Sequence, residues 1–134
     1  MIELVLNKIK VDETRGENVI IFREKDGMRY MPVVIGSSEV QAIKMKLSGV
    51  KAPRPLTHDL ILQVLAKFNA KLETIVIDRL ENNTFYAKLH IVKKGGERVE
   101  IDARPSDSAA LAVRAGIPIF VTEEVMGQAG VVQI

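Results

Sequence analysis

Ile35-Gly36-Ser37-Ser38-Glu39 (residues 35–39) reads as a strand end followed by a helix start, and adding 68 to each number reaches Ala103-Arg104-Pro105-Ser106-Asp107 (residues 103–107), which reads the same way. In both stretches an apolar strand gives way to Gly or Pro, then to a capping hydroxyl and an acid that suits the first turn of a helix. The same offset carries Ile9 onto Ile77. Each junction closes a three-stranded unit. The chain is therefore expected to be one α+β domain over 1–134, with largely antiparallel strands and three main helices. Two β3α units, about 1–49 and 70–116, are joined by a helix at 57–69 and followed by a tail at 122–134.

Working outward, Ile2 to Val11 forms a strand whose apolar phase shifts from Leu4 and Leu6 to Ile9 and Val11, which predicts a bulge near Asn7. A turn follows at Glu13-Thr14-Arg15-Gly16. Val19 to Arg23 and Arg29 to Ile35 flank Asp26-Gly27, a hairpin signal whose register pairs Phe22 with Met31 and Ile20 with Val33. Pro32 has no amide to give a ladder, so its amide side should face an edge or an irregularity. Ser37 starts a helix with Val40, Ile43 and Leu47 inward, ending at Ser48-Gly49. Thr57 caps the linking helix, whose Ile61, Val64, Leu65 and Phe68 recur at core spacing. Leu72–Leu80, Phe85–Lys93 and Arg98–Ala103 are strands. Ser106 caps an Ala-rich helix that stops at Gly116. A short strand is expected at Pro118–Val121, a brief helical turn at 122–124, and a tail loosened by Gly127 and Gly130.

The hairpin between the fifth and sixth strands places the polar residues. Alternation turns Val99, Ile101 and Ala103 inward and Asp102 and Arg104 outward, while Lys88 and His90 take the polar side of the strand before. A three-residue loop, Gly95 to Glu97, pairs Ile91 with Ile101 and sets His90 beside Asp102.

With 134 residues, 47% hydrophobic and 27% charged, the chain can bury a core without staples. The absence of cysteine excludes disulfides, thiolate zinc sites and cysteine nucleophiles. Met1 to Lys10 lacks the apolar run of a signal peptide and no stretch reaches membrane-spanning length, so a cytoplasmic protein is expected. A net charge of +2 does not advertise a nucleic-acid binder. Yet Val40 to His58 holds no acid while Lys44, Lys46, Lys51 and Arg54 are present.

Two polar segments remain, Arg54–Asp59 and Asp102–Asp107. Guanidinium groups suit phosphate oxygens, and hard carboxylates suit Mg²⁺ or Mn²⁺. Phosphodiester hydrolysis uses both kinds of group with an imidazole to move a proton. On this reading Asp102 and Asp107 are metal ligands, with Glu39 and Asp59 as further ligands, and His58 is the proton shuttle. Arg104 and Arg54 face phosphate, and Lys51, Lys88 and His90 complete substrate binding. Ser106 reads as a cap rather than a nucleophile, and Phe85 as core rather than a base-stacking platform. The alternative is a non-catalytic module, binding nucleic acid or protein or forming a homo-oligomer through the same rim. A purely structural ion-pair network is the third reading.

Met31-Pro32-Val33-Val34-Ile35-Gly36, Arg54-Pro55-Leu56-Thr57-His58-Asp59-Leu60, Thr84-Phe85-Tyr86-Ala87 and Asp102-Ala103-Arg104-Pro105-Ser106-Asp107 resemble, in order, the hallmark stretches of the bifunctional nuclease domain family. The resemblance implies DNA and RNA as substrates and a stand-alone bacterial domain. It brings no settled catalytic set, so the roles above are chemistry assigned to matching positions. Ser108-Ala109-Ala110 departs from the family's small residue, larger aliphatic, Ala pattern, which concerns packing.

Overall fold

The computed structural model describes residues 1–12 and 14–133. In chain order the elements are β1 (Ile2–Asp12), β2 (Glu17–Glu24), β3 (Tyr30–Ile35), α1 (Ser37–Leu47), α2 (Thr57–Lys67), β4 (Ala70–Glu81), β5 (Thr84–Lys93), β6 (Arg98–Ala103), α3 (Pro105–Ala115), β7 (Ile119–Val121) and α4 (Glu123–Ala129). The strands form one sheet in the order β3-β2-β1-β7-β4-β5-β6. All pairings are antiparallel except β4 with β7. The α+β expectation holds, with a fourth helix added. Adding 68 carries β3 onto β6 and α1 onto α3 residue for residue, and β1 and β2 onto β4 and β5 to within one residue at each end. The two halves share one plan, and β7 lies between them.

Alternation along the strands gathers one buried face, including Ile20, Phe22, Met31, Val33, Ile75, Ile77 and Leu89. Against it lies α3, whose Ala109, Ala110 and Leu111 are at most 1% exposed. Its small side chains let α3 sit deep, in contact with α1, α2 and several strands at once. Gly116 ends it with φ 67°, a left-handed conformation that glycine adopts without strain. Asn82 and Asn83, at φ 52° and 60°, make the two-residue turn between β4 and β5.

Local readings based on pairing chemistry fare well. The bulge falls between Leu6 and Lys8, Phe22 pairs with Met31 and Ile20 with Val33. Pro32 lies on the edge strand β3. Of the turn expected at 13–16, Glu13 lies outside the described residues, while the Thr14 and Arg15 amides donate to the Asp12 carboxylate.

The β5–β6 register requires correction. Ile91 pairs with Val99, His90 with Glu100, and Lys88 with Asp102. The loop is Lys94-Gly95-Gly96, closed by the Lys93 amide donating to the Glu97 carbonyl at 2.8 Å. Gly95 and Gly96 both take positive φ, 99° and 97°, which draws the loop back by one residue. The strand slips by two, so every side chain keeps its face and changes its neighbour.

Helix starts are corrected by one residue or more. Gly36, Leu56 and Arg104 are the N-caps, none with a side-chain bond donated back from the helix, so Ser37, Thr57 and Ser106 lie inside the helices rather than capping them. Thr122 does cap α4, accepting from the Val125 amide at 3.2 Å. The expected helical turn thus extends to Ala129 and takes Gly127 into a helix. Leu47, Val64 and Phe68 are 58%, 47% and 78% exposed rather than core, and Ile101 on the edge strand β6 is 44% exposed. Ile61, Leu62 and Leu65 are the α2 residues that pack against the core.

Candidate functional site

The shared plan of the halves builds the site. Glu39 and Asp107 are each the third residue of a helix, α1 and α3, and those two helices pack together. Arg104, the N-cap of α3, bridges them. Its Nη2 donates to Glu39 Oε1 at 2.7 Å, its Nε to Asp107 Oδ2 at 3.0 Å. His58, second residue of α2, reaches the other Asp107 oxygen, with Nε2 and Oδ1 3.0 Å apart. Ser38 donates to Glu39 Oε2 at 3.0 Å. Gly36 makes room for this arrangement, since a Cβ there would stand 2.6 Å from Glu39 Oε2. His58 and Glu39 are buried, and with Arg104, Asp107, Ser38 and Met45 they line a cavity of about 480 Å³.

Burial works to raise the Asp107 pKa, but hydrogen bonds from His58 and Arg104 outweigh it and hold the carboxyl below its ordinary range. Asp107 is therefore an acceptor, and His58 Nε2 carries the proton between them. That fixes the tautomer: Nδ1 holds the lone pair of the neutral ring. Nδ1 has no protein partner among the described residues and is not sealed from solvent. Arg104 Nη1 is likewise without a protein acceptor, on a side chain 69% exposed.

Asp59 and Arg114 form a second cluster. Arg114, with 7% of its side chain exposed, donates from Nε to Asp59 Oδ1 and from Nη1 to the Ala42 carbonyl, both at 2.8 Å. Asp59 Oδ2 accepts the Leu56 amide at 3.0 Å. Burial again opposes ionisation of Asp59, and the Leu56 amide and Arg114 again prevail, so its pKa is lowered. Groups depressed in the folded state contribute stability above their unfolded pKa, about 3.9 for Asp, and that contribution is lost as pH falls through the folded value. Acid melts should accordingly show stability falling below about pH 4. The fall should be shallower in Asp59→Asn, measured by circular dichroism across pH 2 to 6. Lys46, Lys51 and Arg54 join Asp59 and Arg114 around a cavity of about 500 Å³. Met45 and Leu56 line both cavities, so the basic one adjoins the His58 site.

The structure thus brings together His58, Asp107, Arg104 and Glu39, with Lys51 and Arg54 next door. It does not bring in Asp102, Lys88 or His90. They lie on the sheet face away from the helices, where Asp102, its side chain 74% exposed, meets Lys88 at 3.8 Å and His90 faces Glu100. The Tyr86 ring is covered by the Arg79 guanidinium 3.9 Å from its centre. Nor does the donor set fit the expected Mg²⁺ or Mn²⁺ centre. Asp102 and Asp59 are held elsewhere, and the Arg104 guanidinium is bonded to both Glu39 and Asp107. Among the described residues no three His, Asp or Glu side chains are placed to hold a metal. Sequence reasoning missed Arg114. Its signal was present: it is the only charge between Asp107 and Thr122, on an Ala-rich helix.

A model of the bifunctional nuclease domain family matches residues 20–133, which include every residue of both clusters. The chain belongs to the bifunctional nuclease domain family. Within it, an uncharacterized protein of Mycobacterium tuberculosis is 43% identical over 122 residues, covering 91% of this chain and 72% of that protein. Bifunctional nuclease 1 of Oryza sativa subsp. japonica is 19% identical over 120 residues, 87% of this chain and 36% of the rice protein. Bifunctional nuclease 1 of Arabidopsis thaliana is 24% identical over 107 residues, 78% of this chain and 33% of that protein. The chain thus spans about a third of the length of these plant bifunctional nucleases. No helix among the described residues is long and apolar enough to cross a membrane.

Proposed function

We propose that the chain hydrolyses phosphodiester bonds of RNA and DNA at the His58–Asp107–Arg104 cluster. One observation carries the reading: among the described residues His58 Nδ1 and Arg104 Nη1 are both left without protein partners beside one cavity, while Asp107 fixes the other side of each group. Nδ1 takes a proton from water, or from a ribose 2′-hydroxyl, as its oxygen attacks phosphorus. The bond to the leaving oxygen breaks, and that oxygen takes a proton from solvent or from the imidazolium. Asp107 stabilises the charged ring, and Arg104 neutralises the non-bridging oxygens. Lys46, Lys51 and Arg54 guide the neighbouring backbone. The family's plant members named as bifunctional nucleases support the substrate class.

No step here runs through a metal. Purified chain incubated with labelled RNA and DNA oligonucleotides should cut both in excess chelator. Activity that vanishes with chelator and returns with Mg²⁺ or Mn²⁺ refutes the metal-free mechanism, and no cleavage under either condition refutes the nuclease assignment. A second reading, an association module, rests on the exposed stripe formed by Leu60 and Val64 of α2 and Phe68 at its C-cap. Sedimentation of the wild type beside Phe68→Glu tests it.

A further inference from the structure

On the far side of Arg104 lies another cavity, of about 530 Å³, bounded by residues 32–36 of β3 and its junction, 83–85 of the β4–β5 hairpin, and 104–106 at the start of α3. Its chemistry is distinctive. Five polar side chains are buried among the described residues, and four have partners: Glu24 with Arg29, Glu39 with Arg104, His58 with Asp107, and Ser108 with the Arg104 carbonyl. Ser106, only 6% exposed, makes no hydrogen bond through its hydroxyl, and that hydroxyl is not sealed from the cavity it lines.

The backbone adds donors at the same place. α3 runs for eleven residues, its N-cap makes no side-chain bond, and Pro105 has no amide hydrogen. The Ser106 and Asp107 amides therefore stand at the positive end of the helix without an acceptor inside it. The Glu39 and Asp107 carboxylates line the other cavity. Beside the hydroxyl, the wall is apolar: Pro32, Val34, which is 58% exposed, and Phe85, which packs partly against the core, as its alternation predicts, and also lines the cavity. A hydroxyl and amides for an anion, next to a hydrophobic wall wide enough for a ring, match one nucleotide unit.

We infer that this cavity binds the nucleotide flanking the cleaved bond, its phosphate on Ser106 and the first turn of α3, its base against Pro32, Val34 and Phe85. The inference rests on the nuclease reading, and Arg104, which lines both cavities, links the two. It makes Ser106 and Val34 determinants of substrate affinity rather than of the chemical step.

Titration of the full chain with adenosine monophosphate, inorganic phosphate and adenosine, followed by amide chemical shifts, provides the test. Expected are shifts at Ser106, Asp107 and Val34, with the monophosphate binding tighter than either fragment. Ser106→Ala, which keeps the packing, should weaken the monophosphate about tenfold, the value of one charge-assisted hydrogen bond. Val34→Asp, at an exposed position, should weaken it at least as much, and His58→Ala should bind as the wild type does. Equal affinity in wild type, Ser106→Ala and Val34→Asp, or shifts confined to other residues, overturns the inference. Wild type that binds through Ser106 yet cuts no polynucleotide upholds the subsite and removes the nuclease assignment. Wild type that cuts while Ser106 stays silent does the reverse.

Discussion

His58→Ala should cut RNA and DNA about 10² to 10⁴ times more slowly than the wild type, the usual contribution of a positioned general base, with KM little changed. On the proposed mechanism the ring meets the reacting oxygen only through Nδ1, so the loss falls on the chemical step. Asp107→Asn should lose activity on the same scale for a different reason. An amide turned to donate toward Nε2 draws the ring proton to Nδ1, and the base becomes a donor at the wrong position. Arg104 retains Glu39 in both variants, so thermal melts should stay close to wild type. Single-turnover rates beside melts decide the matter, and a His58→Ala protein within twofold of wild type removes His58 from the chemistry.

Arg114→Ala should lower stability by about 3 kcal/mol, the low end for removing one member of a buried ion pair. Three elements depend on that one guanidinium: it rises from the last turn of α3, meets the first turn of α2 through Asp59 and holds the Ala42 carbonyl of α1. Its loss leaves a partly buried carboxylate and a carbonyl without their donor. For a domain of this size the change corresponds to a melting temperature lower by roughly 10 °C. Arg114→Lys keeps the charge but not the two-directional fork, and should recover only part of the loss. Denaturant titration measures both, and an Arg114→Ala cost under 1 kcal/mol would show the pair to be dispensable.

Most of the architecture was legible because it rests on repetition and alternation. The offset of 68 follows from apolar strands ending at polar helix starts, and it led to Glu39 and Asp107 as equivalent positions before either had a partner. What stayed hidden has physical reasons. Alternation fixes a strand only modulo two, so the β5–β6 register turned on which residues the Gly95-Gly96 loop would absorb, and positive φ at both glycines decided it. The caps differ because Gly36, Leu56 and Arg104 take the extended N-cap conformation without a capping side chain of their own, the Leu56 amide being held instead by Asp59 from within α2, while the nearby hydroxyls suggested side-chain caps. Helical spacing shows which residues share a face and not whether anything covers it, hence Val64 and Phe68 in solvent. His58 and Asp107 lie 49 residues apart, and no local pattern announces that they touch.

The place of β7 in the middle of the sheet has a consequence for biogenesis. Its three residues separate β1 from β4, so during synthesis each half first stands as a ribbon with an open edge, β1 on one and β4 on the other. Neither edge is closed until residues 119–121 have left the ribosome. A short strand made late thus governs how long the nascent chain presents two adhesive borders to its neighbours.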